Sequence, residues 1–282
     1  MQGSTSEMTV ENVILRHSKR GMHILEGYLE KNYCEQAAEE ILKLEKGTVF
    51  LTTGFYVAGY AETDGPLGTL FLAKALNRLG YRAVIVTDEF CRGYFETEGV
   101  ETVYAAIDAG GEEYRALLRE YRPLGLISIE RCGENVEGDY ANMRGVSIAG
   151  QTARIDRMFE FAKEEGIPTF GVGDGGNEIG MGNLKQVITE KLELVPCRVT
   201  VDHLVIATVS NWGAYGIIAY LEMLTGEKLL PEVEQVETYL GKIVDMGSID
   251  GVNKEHVPTV DGFPAEVERE ILDGLHGVIA SA

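Results

Sequence analysis

Residues 48–88 read TVFLTTGFYVAGYAETDGPLGTLFLAKALNRLGYRAVIVTD. Thr48–Thr53 is a strand-sized apolar run, and Ala83–Val86 is another. Between them, Leu67–Leu79 carries apolar residues at helical spacing. A strand, a helix and a strand in this order form the unit of a parallel sheet.

The pattern continues outward. Further strand-like runs stand at Thr102–Ala105, Leu124–Ile129, Thr169–Val172 and His203–Val209. Helical stretches are expected at Glu112–Tyr121, Thr152–Glu165 and Ala214–Leu224. The expected fold class is therefore α/β, Rossmann-like, a mostly parallel sheet with helices on both faces. Helical additions are expected at both ends: two helices over about residues 8–46, stopped near Gly47, and a helical and loop part over about 226–282. With the α/β core at about 48–225, the whole chain, 1–282, reads as one domain. Only the first seven or so residues are expected to be disordered.

Composition narrows the function. The chain has 282 residues, 45% of them apolar and 25% charged, which suffices for a sizeable core. The formal charge of −20 makes nucleic acid and anionic membranes poor partners, since both need clustered Lys and Arg. Cys34, Cys91, Cys132 and Cys197 form no C-x-x-C pair, so buried free thiols are expected rather than zinc or a disulfide framework. No secretion signal is visible in Met1 to Glu7, and no apolar run approaches the roughly 18 residues of a membrane span. A cytoplasmic protein acting on a small-molecule substrate is expected, and α/β enzymes of this kind often form symmetric homo-oligomers.

In open parallel sheets, ligands bind beyond the carboxyl ends of the strands. There the chain places Thr53 and Gly54, then Glu62-Thr63-Asp64-Gly65-Pro66; Thr87-Asp88-Glu89; Glu130-Arg131; Asp139 to Gly145; Gly173 to Asn183; and Ser210-Asn211-Trp212. Singly, Asp64, Asp139 and Asp174 read as turn or cap residues. Jointly they would crowd charge onto one rim, which a bound cation relieves. Asp64, Asp88, Glu130, Asp139, Asp174 and Glu178 are thus candidate metal ligands. The five histidines avoid these motifs, so an all-oxygen site for one or two Mn²⁺ or Mg²⁺ ions is expected.

These metals commonly meet phosphate-bearing substrates, which points to a phosphatase of a small phosphorylated metabolite. Asp174 would be central to it, and Arg131 or Arg144 would hold phosphoryl oxygens unless they form structural ion pairs. Thr53, Gly54, Asn142, Gly175, Gly176, Asn177 and Asn211 are the candidate substrate contacts. Trp212 reads as core, and Ser210 lacks the His-Asp pattern of a nucleophile. Gly171-Val172-Gly173-Asp174-Gly175-Gly176 satisfies the dinucleotide fingerprint, but it comes late in the chain and puts acids beside a pyrophosphate. Gly173 to Glu178 also fits the metal loop of haloacid-dehalogenase-type phosphatases, whose nucleophile motif is missing here. Asp250-Gly251 and Asp261-Gly262 read as turns able to close over the site.

Together, Glu62 to Pro66, Glu130-Arg131, Gly138 to Tyr140, Asn142 to Gly145, Gly171 to Gly182 and Ser210 to Gly213 resemble the C-terminal domain of D-glutamate cyclase proteins, over roughly residues 45–265. The resemblance implies interconversion of D-glutamate and 5-oxo-D-proline by loss or gain of water. In long members this domain follows a separate N-terminal one, and stand-alone members resemble metal-dependent phosphatases. A D-glutamate cyclase-like hydro-lyase and a non-catalytic metabolite-binding domain are therefore the alternatives to the phosphatase.

Overall fold

A computed structural model describes residues 8–282. The expected disorder and the absent secretion signal concern Met1 to Glu7, outside the described residues. In chain order the elements are α1 (Val10–Ile14), α2 (Met22–Leu25), α3 (Tyr33–Lys43), β1 (Thr48–Thr52), β2 (Tyr56–Val57), β3 (Tyr60–Ala61), α4 (Pro66–Arg78), β4 (Arg82–Thr87), β5 (Glu101–Tyr104), α5 (Gly111–Tyr121), β6 (Leu126–Ile129), α6 (Asp156–Glu165), β7 (Thr169–Gly173), α7 (Lys185–Leu192), β8 (His203–Ile206), α8 (Ser210–Thr225), α9 (Val233–Asp245) and α10 (Ala265–Ser281).

Six strands form one sheet in the order β5-β4-β1-β6-β7-β8, and every pair is parallel. Strands β1, β6 and β7 are buried throughout, which explains why their sequences are unbroken apolar runs rather than alternating ones. On one side α3 and α4 pack against α8; on the other α5 packs against α6. Sheet and helices share one large apolar cluster. The chain leaves β1 toward β4 and β5, then returns to place β6 on the other flank of β1. That reversal opens a crevice between the carboxyl ends of β1 and β6, the usual ligand position in this topology.

All six expected strands and the four named helices are present. Four details differ. The rhythm through His17 does not make one helix: α1 ends at Ile14, and His17 stands at φ +60°. The strand expected to reach Val209 ends at Ile206, and α8 begins at Ser210 because its first N–H groups meet the carboxylate of Asp64. The helix expected from Thr152 begins at Asp156. The β2–β3 hairpin and α7 are additional.

The four cysteines are free and buried, as expected. No helix of the described residues is long and apolar enough to cross a membrane.

Candidate functional site

Two helices begin at the switch point and cap one another. The carboxylate of Asp64 accepts the N–H groups of Ser210 (2.9 Å) and Asn211 (2.8 Å) at the start of α8. In return, the side-chain oxygen of Asn211 accepts Gly65 N–H (2.9 Å) and Gly68 N–H (2.8 Å) at the start of α4. These bonds satisfy orphan donors and set the negative Asp64 where both helix dipoles favour it. Gly65 makes the turn possible: its φ is +96°, and a Cβ there would lie 2.4 Å from Thr53 Oγ1. So Asp64 is both the cap and part of the acidic group.

That group is Asp64, Glu130 and Asp174, whose carboxylate oxygens lie within 4.8 Å of one another. All three are buried. Glu130 follows β6 at φ +48°, a left-handed conformation that costs an L-residue about 1 kcal/mol and commonly marks a functional position. Ser210 Oγ donates to Glu130 Oε2 at 2.5 Å. Asp174 Oδ1 accepts from Arg20 at 2.7 Å, while its Oδ2 is buried with no partner. Glu178 lies alongside, accepting Gly176 N–H (2.7 Å) and Asp174 N–H (3.3 Å), so it shapes the turn after β7.

Burial pushes the Asp64 carboxyl up to about 7, helped by the charge of Asp261 and opposed by its backbone hydrogen bonds. Burial, and then the charges of Glu178 and Asp64, hold Glu130 well above the usual carboxylate range. Glu62 and Asp174 are raised too, chiefly by burial, with Arg20 pulling both back. Each folded pKa exceeds its unfolded value, so the folded state binds more protons, and the stability this gives is present at low pH. For Asp64 it is lost as pH rises from about 4 to about 7. The unfolding temperature should therefore fall between pH 5 and pH 8, and Asp64→Asn should flatten that slope. Scanning calorimetry across this range checks it.

Arg20, between α1 and α2, is the tethered counter-charge. It bridges Asp174 and Asp261, joining the N-terminal segment to the C-terminal loop across the site. Arg20→Ala strands two carboxylates; because the arginine is half-buried, we expect a loss of about 2 kcal/mol, larger at pH 8 than at pH 5, in denaturant titration.

Beside the acids opens a cavity of about 360 Å³, to which Glu62, Glu130 and Asp261 contribute carboxylates and Arg20, Arg144 and Lys254 cations. Among the acidic trio, Glu130 alone lines it. Asn142 and Asn177 form part of its wall.

The structure does not gather every expected residue. Asp88 pairs with Arg131 at 2.7 Å, and both are buried. Arg131 also donates to the carbonyls of Gly54 (2.6 Å) and Ala153 (2.7 Å). Arg131 is thus held by the scaffold, and Asp88 is its counter-ion rather than a member of the trio. Asp139 accepts from Ser147 Oγ at 2.8 Å and lines a second cavity with Gly175 and Gly176. Gly54 packs against Cys91 and Thr87, and Thr53 lies behind Gly65, next to Glu130. Asn211 is wholly committed to capping. Trp212 is buried and donates to Glu268 at 2.6 Å, in the core as expected. Sequence reasoning missed Arg20 and Lys254 and set Glu62 at the rim without a role; of the two turns, Asp261 and Gly251 do reach the cavity.

A parallel six-stranded sheet with an acidic pocket at its switch point defines an α/β protein of the Rossmann-like class. Within that class, the chain belongs to the family described as D-glutamate cyclase-like, C-terminal, which it matches over residues 10–276. The human protein named D-glutamate cyclase, mitochondrial, is 29% identical, the match covering 80% of this chain and 45% of that protein. The chain thus spans less than half the length of this curated relative. Among solved structures, UDP-glucose 4-epimerase from Thermotoga maritima is 16% identical, covering 46% of this chain and 38% of that chain at a TM-score of 0.30. A short chain dehydrogenase from Leptospira borgpetersenii is 12% identical, covering 78% and 84% at a TM-score of 0.29. Likenesses that loose do not bear on what this chain binds.

These findings overturn the phosphatase expectation. The family is described as D-glutamate cyclase-like and the human relative is named a D-glutamate cyclase, which is the alternative reading. The geometry also removes one expected phosphoryl contact: Arg131 is consumed by Asp88 and backbone carbonyls.

Proposed function

We propose that this chain carries D-glutamate cyclase-like activity, interconverting D-glutamate and 5-oxo-D-proline with loss or gain of water. The observation that carries the proposal, beside family membership, is a buried carboxyl group, Glu130, raised in pKa and facing a cavity that bears both signs of charge. Ring closure needs a base to take a proton from the α-ammonium and an acid to protonate the departing hydroxyl. Carboxyls raised toward neutrality do both. With no cation bound, Glu130, steadied by Ser210, would carry these protons, with Asp64 behind it as a reservoir. Glu62 and Asp261 would attract the ammonium, and Arg144 and Lys254 the carboxylates.

The trio also fits a hard divalent cation, since its ligands are all oxygen and Asp174 Oδ2 is buried and unpartnered. Asp64, Glu130 and Asp174 would hold Mg²⁺ or Mn²⁺, which would supply Lewis-acid polarisation of the γ-carbonyl. Proton NMR of D-glutamate and, separately, 5-oxo-D-proline incubated with the protein, with and without Mn²⁺, tests the proposal. Approach to one common ratio from both sides is the expected result; no conversion in either direction rejects it.

A further inference from the structure

The cavity has more apolar wall than a dicarboxylic amino acid uses. Its volume of about 360 Å³ falls in the roughly 300–1,000 Å³ range of pockets for larger organic ligands. One side is built by the β2–β3 hairpin and the loop after Tyr140. Phe55, Tyr56, Val57, Val146 and Ile148 line it. Phe55 and Ile148 belong, with Cys132 and Tyr140, to a small apolar cluster separate from the main core. The wall is braced, as the ring of Tyr56 meets Phe90 edge-on at 4.9 Å. Val146 at 58% and Val252 at 53% are among the most exposed large apolar side chains of the described residues, and both border this cavity. An apolar surface continuous with an acid/base group is where a substrate extension would rest.

The chemistry says which end extends. Closing the five-membered ring expels whatever sits on the γ-carbonyl. At neutral pH the ionised γ-carboxylate of D-glutamate resists attack, whereas a γ-amide offers a neutral carbonyl, and an aromatic or alkyl amine portion is apolar enough for this wall. We propose that the site also accepts γ-(D-glutamyl) amides, seats their amine portion on the apolar wall, and releases that amine. This inference rests on the cyclase reading above. The α-amine nitrogen attacks the γ-carbonyl carbon and forms the ring C–N bond. The γ-amide C–N bond breaks, and the proton lost by the α-amine goes to the departing nitrogen. The products are 5-oxo-D-proline and the free amine; no water, oxidant or reductant is consumed.

The test uses γ-(D-glutamyl)-p-nitroanilide, with D-glutamate followed in parallel. Absorbance reads p-nitroaniline, and chromatography reads 5-oxo-D-proline. We expect the two products in equal amounts in the initial phase, before 5-oxo-D-proline is converted onward. Val57→Asp and Val146→Asp, checked for folding by circular dichroism, should lower kcat/KM for the anilide about tenfold more than for D-glutamate. Conversion of D-glutamate without anilide turnover overturns the inference and leaves the cyclase reading standing. So does release of p-nitroaniline with D-glutamate, and no 5-oxo-D-proline, as the initial co-product, which is plain hydrolysis. Anilide turnover indifferent to both valine variants overturns the seat on the wall. Turnover of neither compound overturns the cyclase reading itself, and this inference with it.

Discussion

Glu130→Gln should lower the conversion of D-glutamate to 5-oxo-D-proline by about 10³-fold, within the usual range for removing a positioned acid/base. The amide keeps the shape of the side chain and the hydrogen bond from Ser210 but cannot exchange a proton. The same variant should unfold at a higher temperature at pH 8. Burial and the charges of Glu178 and Asp64 raise the Glu130 carboxyl, so its ionised form opposes folding above the ordinary carboxylate range, and a neutral amide removes that opposition. Activity down and stability up, from one substitution, separates a functional acid from a structural one. If turnover and unfolding temperature both fall, Glu130 is part of the scaffold.

Asp88→Ala should cost about 3–5 kcal/mol, the usual loss when one partner of a buried ion pair is removed. Arg131 is fully buried and would keep its charge among the carbonyls of Gly54 and Ala153. Guanidinium titration reads the loss directly. In contrast to Glu130→Gln, the residual folded protein should still convert D-glutamate. A metal ligand at Asp88 would show the reverse: little loss of stability and a large loss of activity.

The contrast between these two residues shows how far the sequence is legible. The strands are readable because most are short apolar runs buried on both faces, with the edge strand β5 only partly buried. The helices between them are readable from their spacing. The acidic rim is readable because the topology delivers strand ends to one edge. The residues just beyond each strand are harder to place. Glu130 and Arg131 are consecutive and both charged, but they lie beyond β6, where the left-handed turn at Glu130 sends the two side chains different ways. One enters the trio and the other crosses to Asp88. No spacing rule says which does which.

The N-terminal segment departs from expectation for a related reason. Its apolar rhythm is real, since Val10, Val13, Ile14, Met22 and Leu25 are all buried. Yet α1 stops at Ile14, and the turn through His17 swings Arg20 toward Asp174. That contact spans 154 positions and has no local signature. The β2–β3 hairpin escapes a sequence reading because Ala58 and Gly59, both at positive φ, replace the usual Asn-Gly of such turns.

The mutual capping of α4 and α8 also bears on how the molecule reaches its final form. Asp64 and Asn211 stand 147 positions apart in the chain. Contacts of such separation form only after the intervening chain has been ordered. The five strands between them, β4 to β8, and their helices can therefore assemble while the pocket floor still lacks its shape. Recovery of turnover during refolding would then report the closing step of assembly, lagging behind signals that follow the sheet alone.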